Sequence, residues 1–330
     1  MGDALAMTLL ALAGLVTLAV SAWAVRWLWR ERTPGVLVLL YHRVHSDDVV
    51  VTGSERLFSI ARSRFVEHLD RLRDHGAQFL TLDALADCLN GAPIPRGATV
   101  ITFDDGSASV AALAAPELGR RGLPATVFVT ASPDSWVFDV EPRIADDRLR
   151  ALDAEGTVRV GGHGMTHCGW RNLDPATLDW EVRGSLEALS AVVDRPVTDV
   201  AIPLNLYDRA AIDLCTEAGV RLGFSCIAGR ARPGDARLEL PRLLVEGTMT
   251  AEDLLRATEP RWLVVRRAIG RLKRAPALLL GEQRWMPLRA RLFQTPLGRW
   301  LSWRNLRLSV MFGAALWLTT VVWLVAWSAT

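Results

Sequence analysis

Cysteine and histidine are scarce in this chain, which has 330 residues but only four cysteines and six histidines. The cysteines form no CxxC pair and no spacing typical of a disulfide-stabilised scaffold; they are Cys88, Cys168, Cys215 and Cys226. This pattern fits a reducing compartment without requiring one. Positive charge is missing from residues 1–25, where Asp3 is the only charged side chain. The sequence therefore disfavours a cleaved signal peptide, which begins with basic residues.

Long apolar runs, in contrast, are present near both ends of the chain. Hydrophobic residues make up 50% of the sequence, and the mean hydropathy is +0.19. Residues 4–25 and 308–330 are each long enough to cross a hydrocarbon core of about 30 Å as a helix. We therefore predict an integral membrane protein with two transmembrane helices, one within residues 1–32 and one within residues 308–330.

Arginine lies on the loop side of each predicted span and is absent from the outer side. The arginines concerned are Arg26, Arg30 and Arg32 after the first span, and Arg299, Arg304 and Arg307 before the second. Because basic residues accumulate on the cytoplasmic side of membrane helices, this distribution predicts that the domain between the spans faces the cytoplasm.

Residues 259–307 form a basic segment that also contains many aromatic side chains. Between residues 261 and 307 there are eleven arginines and Lys273, against Glu282 as the only acid. We predict a membrane-surface segment that contacts anionic lipid headgroups, with a solvated basic face as the alternative. Nucleic-acid binding is not expected beside a membrane span, and the sequence does not indicate any protein partner.

Between residues 33 and 258, short apolar runs alternate with stretches of helical periodicity. The predicted strands are "GVLVLLYH", "ATVITF", "ATVFVT", "TVRVGG", "VTDVAIP", "RLGFSC" and "LPRLLV". Repeated strand–helix units of this length predict an α/β domain with a parallel sheet. A closed or partly closed (β/α) barrel is the first expectation, and a doubly wound sheet is the alternative.

Several chemically active side chains follow the predicted strands, where the active residues of such folds collect. Asp104 and Asp105 follow "ATVITF", and the stretch "HGMTH" places His163 and His167 four residues apart after "TVRVGG". Two histidines and a carboxylate are a common ligand set for a divalent transition metal, so either aspartate is a candidate third ligand. The other histidines outside strand ends are predicted to be surface groups: His45, His68 and His75.

The motifs "TFDDG" and "HGMTH" resemble the first two motifs of the polysaccharide deacetylases, also called the NodB homology or carbohydrate esterase 4 family. The resemblance covers about residues 36–258 and implies a distorted (β/α)7 barrel. It implies that Asp105, His163 and His167 hold a divalent metal, usually Zn²⁺, and that Asp104 is the catalytic base.

The family's late L-x-H motif, whose histidine is the general acid, is missing because no histidine follows His167. The first strand, however, ends in "LLYHRV", which is similar to circularly permuted members that begin with this motif. That similarity implies that His42 is the general acid. In the same group an arginine on another strand tunes the catalytic base, a role that the resemblance assigns to Arg242 in "LPRLLV".

The family's third motif is altered here to "AIPLN", with Asn205 where relatives carry glycine. Asparagine tolerates positive φ better than other non-glycine residues. The resemblance therefore still implies that the backbone N–H of Leu204 is an oxyanion donor. Substrate contacts are predicted for Tyr41, Pro203 and Asn205.

These expectations together predict a membrane-anchored, metal-dependent N-deacetylase of an amino sugar. A cytoplasmic domain would reach a lipid-linked sugar, such as a polyprenyl-phosphate-linked N-acylhexosamine, at the membrane surface. The alternatives are an outward-facing polysaccharide or peptidoglycan deacetylase, and an inactive barrel that serves as a membrane-bound binding or scaffold protein.

Overall fold

A computed structural model of the chain describes residues 2–135, 137, 141–280 and 288. Strands and helices alternate along most of the described residues. The helices are α1 (Gly2–Arg32), α2 (Arg62–Asp74), α3 (Leu82–Leu89), α4 (Ala115–Arg121), α5 (Asp146–Glu155), α6 (Pro175–Asp179), α7 (Ser185–Val193), α8 (Arg209–Glu217), α9 (Ala251–Ala257) and α10 (Pro260–Leu280).

The strands form one large sheet and one small ladder. They are β1 (Val36–Tyr41), β2 (Arg43–His45), β3 (Ser59–Ala61), β4 (Gln78–Phe79), β5 (Ala98–Phe103), β6 (Ala125–Val129), β7 (Val158–Gly162), β8 (Asp199–Ala201), β9 (Leu222–Phe224), β10 (Arg230–Ala231) and β11 (Leu243–Leu244). The large sheet has the order β10-β1-β5-β6-β7-β8-β9, with β11 on β1 and β4 on β5. From β1 to β9 every neighbouring pair is parallel, whereas β10 is antiparallel to β1.

The sheet curls so that its last strands return toward its first. Phe224 of β9 forms a parallel bridge with Leu240, and shortly afterwards Leu243 of β11 pairs with Leu39 of β1. This architecture confirms the α/β part of the predicted fold class, and each predicted strand is present. The long helix predicted from Asp174 onward is present as a continuous helical stretch, in which a π-helical turn at Trp180–Gly184 joins α6 to α7.

Both faces of the sheet are covered by apolar side chains. In β1, Val36 and Val38 pack in one buried cluster, while Leu37 and Leu39 pack in a second cluster. Parallel strands that are buried on both faces have continuous apolar sequences rather than alternating ones. For this reason the apolar runs in the sequence predict the strands correctly.

The chain divides into two compact units, residues 1–268 and residues 269–330. Among the residues that the structure describes, no helix is both long and apolar enough to cross a membrane. The second predicted span, 308–330, lies outside the described residues, as does nearly all of the basic segment beyond Leu280.

Candidate active site

Polar side chains from several strands meet at the carboxyl-terminal edge of the sheet. Asp104 and Asp105 follow β5, His163 follows β7, and His42 follows β1. Because these strands run parallel within one sheet, their carboxyl ends lie at the same edge. The structure brings the side chains together: His163 Nε2 lies 3.9 Å from Asp104 Oδ2 and 3.7 Å from Asp105 Oδ1.

Asp105, His163 and His167 form a cluster with the geometry of a metal site. One ligand atom from each lies within 4.8 Å of the others, and no second cluster of this kind is found in the described part of the chain. His167 Nε2 is 3.3 Å from Asp105 Oδ1. His163 donates Nδ1–H to the carbonyl oxygen of Ala201 at 2.8 Å. This hydrogen bond places the proton on Nδ1, so Nε2 is available as a ligand atom.

The charges of these three residues also fit a bound cation. Burial, and then the Asp104 carboxylate, raise the pKa of Asp105 to about 7. Burial lowers the pKa of His163, and burial followed by the proximity of His163 lowers the pKa of His167 to about 3. Neutral imidazoles and a carboxylate that lacks a strong positive partner form the donor set of a divalent transition metal such as Zn²⁺.

Backbone strain is concentrated at the same place. Asp105 has φ 74° and His167 has φ 67°, and two further positive values, 54° and 57°, occur at Leu204 and Asn205. Such a conformation costs a non-glycine residue about 1–2 kcal/mol. Four of the six non-glycine residues with positive φ in the described part of the chain therefore lie in the predicted site.

Asp104 is paired with Arg242 through two hydrogen bonds. Arg242 donates to Asp104 Oδ1 at 2.6 Å and to Asp104 Oδ2 at 2.7 Å, and a third bond to the Ser225 carbonyl at 3.1 Å fixes the guanidinium. The Arg242 side chain is 0% exposed and the Asp104 side chain is 3% exposed. Burial acts to raise the pKa of Asp104, but the charge and hydrogen bonds of Arg242 outweigh it and hold the pKa below its ordinary value. Asp104 is therefore ionised at neutral pH.

His42 lies near Asp104 and against an aromatic ring. Its imidazole contacts Phe58 edge-on, with the ring centroids 5.0 Å apart. Its Nδ1 has no hydrogen-bond partner among the described residues. Burial lowers the pKa of His42 to about 4, although Asp104 opposes the shift. His42 is thus neutral at pH 7 in this state, and acting as an acid requires substrate binding to raise its pKa.

The turn predicted to supply an oxyanion donor follows β8. Pro203–Asn205 form a short 3-10 turn in which Leu204 adopts φ 54° and ψ 4°. Asn205 accepts a hydrogen bond from the backbone N–H of Cys226 at 3.0 Å, and Pro203 is buried. Leu204 is the exposed side chain of the turn, at 40%.

The structure places Tyr41, for which a substrate contact is predicted, in the protein core. Tyr41 is 1% exposed and belongs to the hydrophobic core. Its ring contacts Phe65 and Phe103, and its hydroxyl lies 3.3 Å from Nδ1 of His68. His68 is itself fully buried, so it is not the surface group that the sequence suggested.

Two residues near the site were missed in the sequence. Arg43 is buried, donates to Ser107 Oγ at 3.2 Å and to the Val137 carbonyl at 2.9 Å, and pairs with Glu55. The sequence feature that could have identified Arg43 is its position directly after His42. Glu181 is also buried and accepts hydrogen bonds from the "HGMTH" loop. Nothing in the sequence separates Glu181 from an ordinary acid on a helix surface.

Comparison with protein families and curated proteins relates most of this site to known enzymes. Residues 92–223 match the family model of polysaccharide deacetylase. This range includes Asp104, Asp105, His163 and His167, whereas His42 and Arg242 lie outside it. A poly-beta-1,6-N-acetyl-D-glucosamine N-deacetylase of Staphylococcus aureus is 24% identical over 226 residues, which are 63% of this chain and 78% of that protein.

Solved structures share the fold. The deacetylase PplD of Streptococcus pyogenes, in complex with acetate, superposes with a TM-score of 0.61 at 21% identity, covering 69% of this chain and 100% of that one. IcaB of Ammonifex degensii superposes with a TM-score of 0.58 at 25% identity, covering 69% of this chain and 98% of that one. The curled sheet described above is thus similar to the sheets of two deacetylase domains.

Proposed function

Because residues 92–223 match the family model of polysaccharide deacetylase, and members of that family are metal-dependent hydrolases of amide carbon–nitrogen bonds, we propose that this chain removes an N-acetyl group from an amino sugar of a glycan. One observation carries the proposal. The ligand cluster of Asp105, His163 and His167 stands next to Asp104, a buried carboxylate that Arg242 holds ionised. The Staphylococcus aureus relative is named for an N-acetylglucosamine polymer, which supports this substrate class.

Asp105, His163 and His167 would hold the cation, and Zn²⁺ suits their two nitrogens and one oxygen best. When bound, such a cation supplies Lewis acidity, which lowers the pKa of a nearby water toward about 7 and polarises a carbonyl group.

The chain's own residues then divide the proton transfers between them. Asp104 accepts a proton from the water as the water oxygen attacks the amide carbon, and Arg242 keeps that carboxylate ready to accept it. The backbone N–H of Leu204 stabilises the negative charge that develops on the carbonyl oxygen. When the carbon–nitrogen bond breaks, His42 protonates the departing amine. The products are acetate and the free amino sugar.

Acetate release tests this proposal directly. The purified full chain is incubated with N-acetylglucosamine oligomers, and both acetate and bound metal are measured. We expect His163→Ala to lose the metal and Asp104→Asn to keep it, with activity falling at least about 100-fold in each. His75→Ala is the control, because His75 is exposed and bonds only to the Arg71 carbonyl in the described structure. Wild-type protein without metal, or a fully active His163→Ala variant, would refute the proposal.

A separate proposal concerns where the reaction takes place, and it rests on the sequence. We propose that residues 308–330 anchor the chain in a membrane, with the catalytic domain in the cytoplasm and a lipid-linked amino sugar as substrate. The basic segment 259–307 would bind the lipid phosphate. A reporter fused after Thr330 tests the orientation. A cytoplasmic signal would place the domain outside and favour the polysaccharide or peptidoglycan alternative.

A further inference from the structure

We propose that Glu181 is a positioning residue for the metal site, whose carboxylate holds the loop between His163 and His167 in the conformation that brings both imidazoles to Asp105. The inference rests on the proposed metal site and adds a residue to it. Glu181 accepts hydrogen bonds from Met165 and Thr166 of this loop, so its effect acts through the loop.

The carboxylate of Glu181 accepts several hydrogen bonds from two consecutive loop residues. Met165 donates its backbone N–H at 2.9 Å, Thr166 donates its backbone N–H at 3.2 Å to each oxygen, and the Thr166 hydroxyl donates as well. Glu181 is 1% exposed, and no basic side chain pairs with it in the described part of the chain. Its charge is therefore stabilised by these loop donors, and any rearrangement of the loop would leave a buried carboxylate without them.

The opposite side of the loop is fixed by the segment after β6. The Gly164 and Met165 carbonyls accept the backbone N–H groups of Ala131 and Ser132 at 2.9 and 2.8 Å. The Thr166 carbonyl accepts the Ser135 hydroxyl at 2.8 Å. The loop's carbonyl groups thus bond to one neighbour and its N–H groups bond to Glu181. Removing Glu181 would release one side of the loop while leaving the other side attached.

The close approach of Glu181 to the loop depends on two local features. Gly164 has φ +77°, and a Cβ atom at this position would lie 2.9 Å from Glu181 Oε2. Glu181 also lies in the π-helical turn Trp180–Gly184, and such turns are frequent at functional sites. The loop's glycine and the turn's irregular geometry together let a carboxylate sit directly against the backbone.

The strain at His167 explains why a fixed loop matters for the metal. His167 has φ 67°, a conformation that a histidine in a free loop would leave. Groups that hold metal ligands in place contribute about 10- to 100-fold to metal affinity. Glu181→Gln keeps the side-chain size but removes the negative charge and one of the two accepting oxygens, so a single oxygen is left for the donors of Met165 and Thr166.

The experiment measures zinc affinity of the full chain by competition with a chromophoric chelator, together with thermal unfolding of the metal-free form. We expect Glu181→Gln to weaken zinc binding about 10-fold or more, and Thr166→Val to weaken it less in the same direction. Asp153→Asn is the matched control. Asp153 is likewise a buried carboxylate that accepts a backbone N–H, that of Val160 at 2.7 Å, and it pairs with Arg195 away from the metal site. It should lower stability with unchanged zinc affinity.

The outcomes separate this inference from the proposed function. If wild type binds zinc and Glu181→Gln binds it equally well while unfolding earlier, Glu181 is merely structural and the inference is wrong. If wild type binds neither zinc nor another divalent metal, the metal site and the inference both fail. Should Glu181→Gln not fold, unchanged zinc affinity in a folded Thr166→Val variant would overturn the inference, and weakened affinity would support it.

Discussion

Replacing Arg242 by methionine tests whether the base of the proposed reaction depends on one buried ion pair. At an effective dielectric constant of about 20, two unit charges about 4 Å apart attract each other by about 4 kcal/mol. Removing one partner of such a pair leaves a buried, uncompensated charge and costs about 3–5 kcal/mol. Since Asp104 is 3% exposed, we expect Arg242→Met to lower the free energy of unfolding by about that amount. The pKa of Asp104 should also rise in this variant, and a protonated Asp104 can no longer accept a proton at neutral pH.

Denaturant unfolding and acetate release measure the two effects, and Arg221 provides a matched control. Arg221 also binds a carboxylate through two nitrogens, that of Asp199, but its side chain is 35% exposed. Arg221→Met should therefore cost only about 1 kcal/mol or less and leave activity unchanged. The double variant Arg242→Met/Asp104→Asn should regain part of the lost stability, because it removes the unpaired charge. Equal stability of Arg242→Met and Arg221→Met would refute this reasoning.

Three further predictions concern backbone and pH. Gly106→Ala should destabilise the fold by about 2–3 kcal/mol, because Gly106 has φ +90° and a Cβ atom would lie 2.8 Å from Val129 Cγ1. The control is Gly234→Ala. Gly234 has φ +83° and open space around the position of a Cβ atom, so this variant should show only the smaller cost of placing alanine at positive φ. Equal losses in thermal unfolding would show that the contact is unimportant. Leu204→Gly should keep its acetate release, because the proposed donor is a backbone N–H, and a 10-fold loss would instead assign the role to the side chain. Burial raises the pKa of Glu117, but three arginines outweigh it and hold the pKa below its ordinary 4.5. Its stabilisation is thus present above pH 4.5 and is lost as pH falls through the lower folded-state pKa. Glu117→Gln should cost about 2 kcal/mol at pH 7 and progressively less as the pH is lowered from 4.5, and a cost that does not change with pH would contradict the shift.

The strands and the convergence of the site were predictable because both follow from burial. The β5 strand is buried throughout, and its apolar run stops where Asp104 and Asp105 begin. A parallel sheet gathers such strand ends at one edge, so residues distant in sequence can be expected to meet. The short strands β4 and β10, two residues each, carry no pattern of their own and form only because β5 and β1 offer them partners.

Tyr41 shows where the sequence contained more information than the prediction used. Successive side chains of a strand point to opposite faces. Tyr41 shares the phase of Leu37 and Leu39 and joins them in one core cluster, whereas His42 follows at the opposite phase. Strand periodicity therefore places Tyr41 and His42 on opposite faces of the sheet, with Tyr41 on the face of Leu37 and Leu39. Glu181 is different, because its role depends on the π-helical turn that follows α6, and helical periodicity does not predict that turn.

The turn after β8 departs from the family's third motif, which favours the alternative of an inactive barrel, but the geometry of the turn weakens that alternative. A glycine in this motif would supply a backbone that accepts positive φ, and Asn205 adopts φ 57° without glycine. Its side chain also accepts the N–H of Cys226 at 3.0 Å, a bond that glycine cannot make and that offsets part of the conformational cost. Leu204 carries the second positive φ, and a strained, partly exposed residue persists only where the surrounding structure determines its conformation. Backbone strain at both positions, beside an ionised Asp104 and a three-residue ligand cluster, supports a working deacetylase over a scaffold.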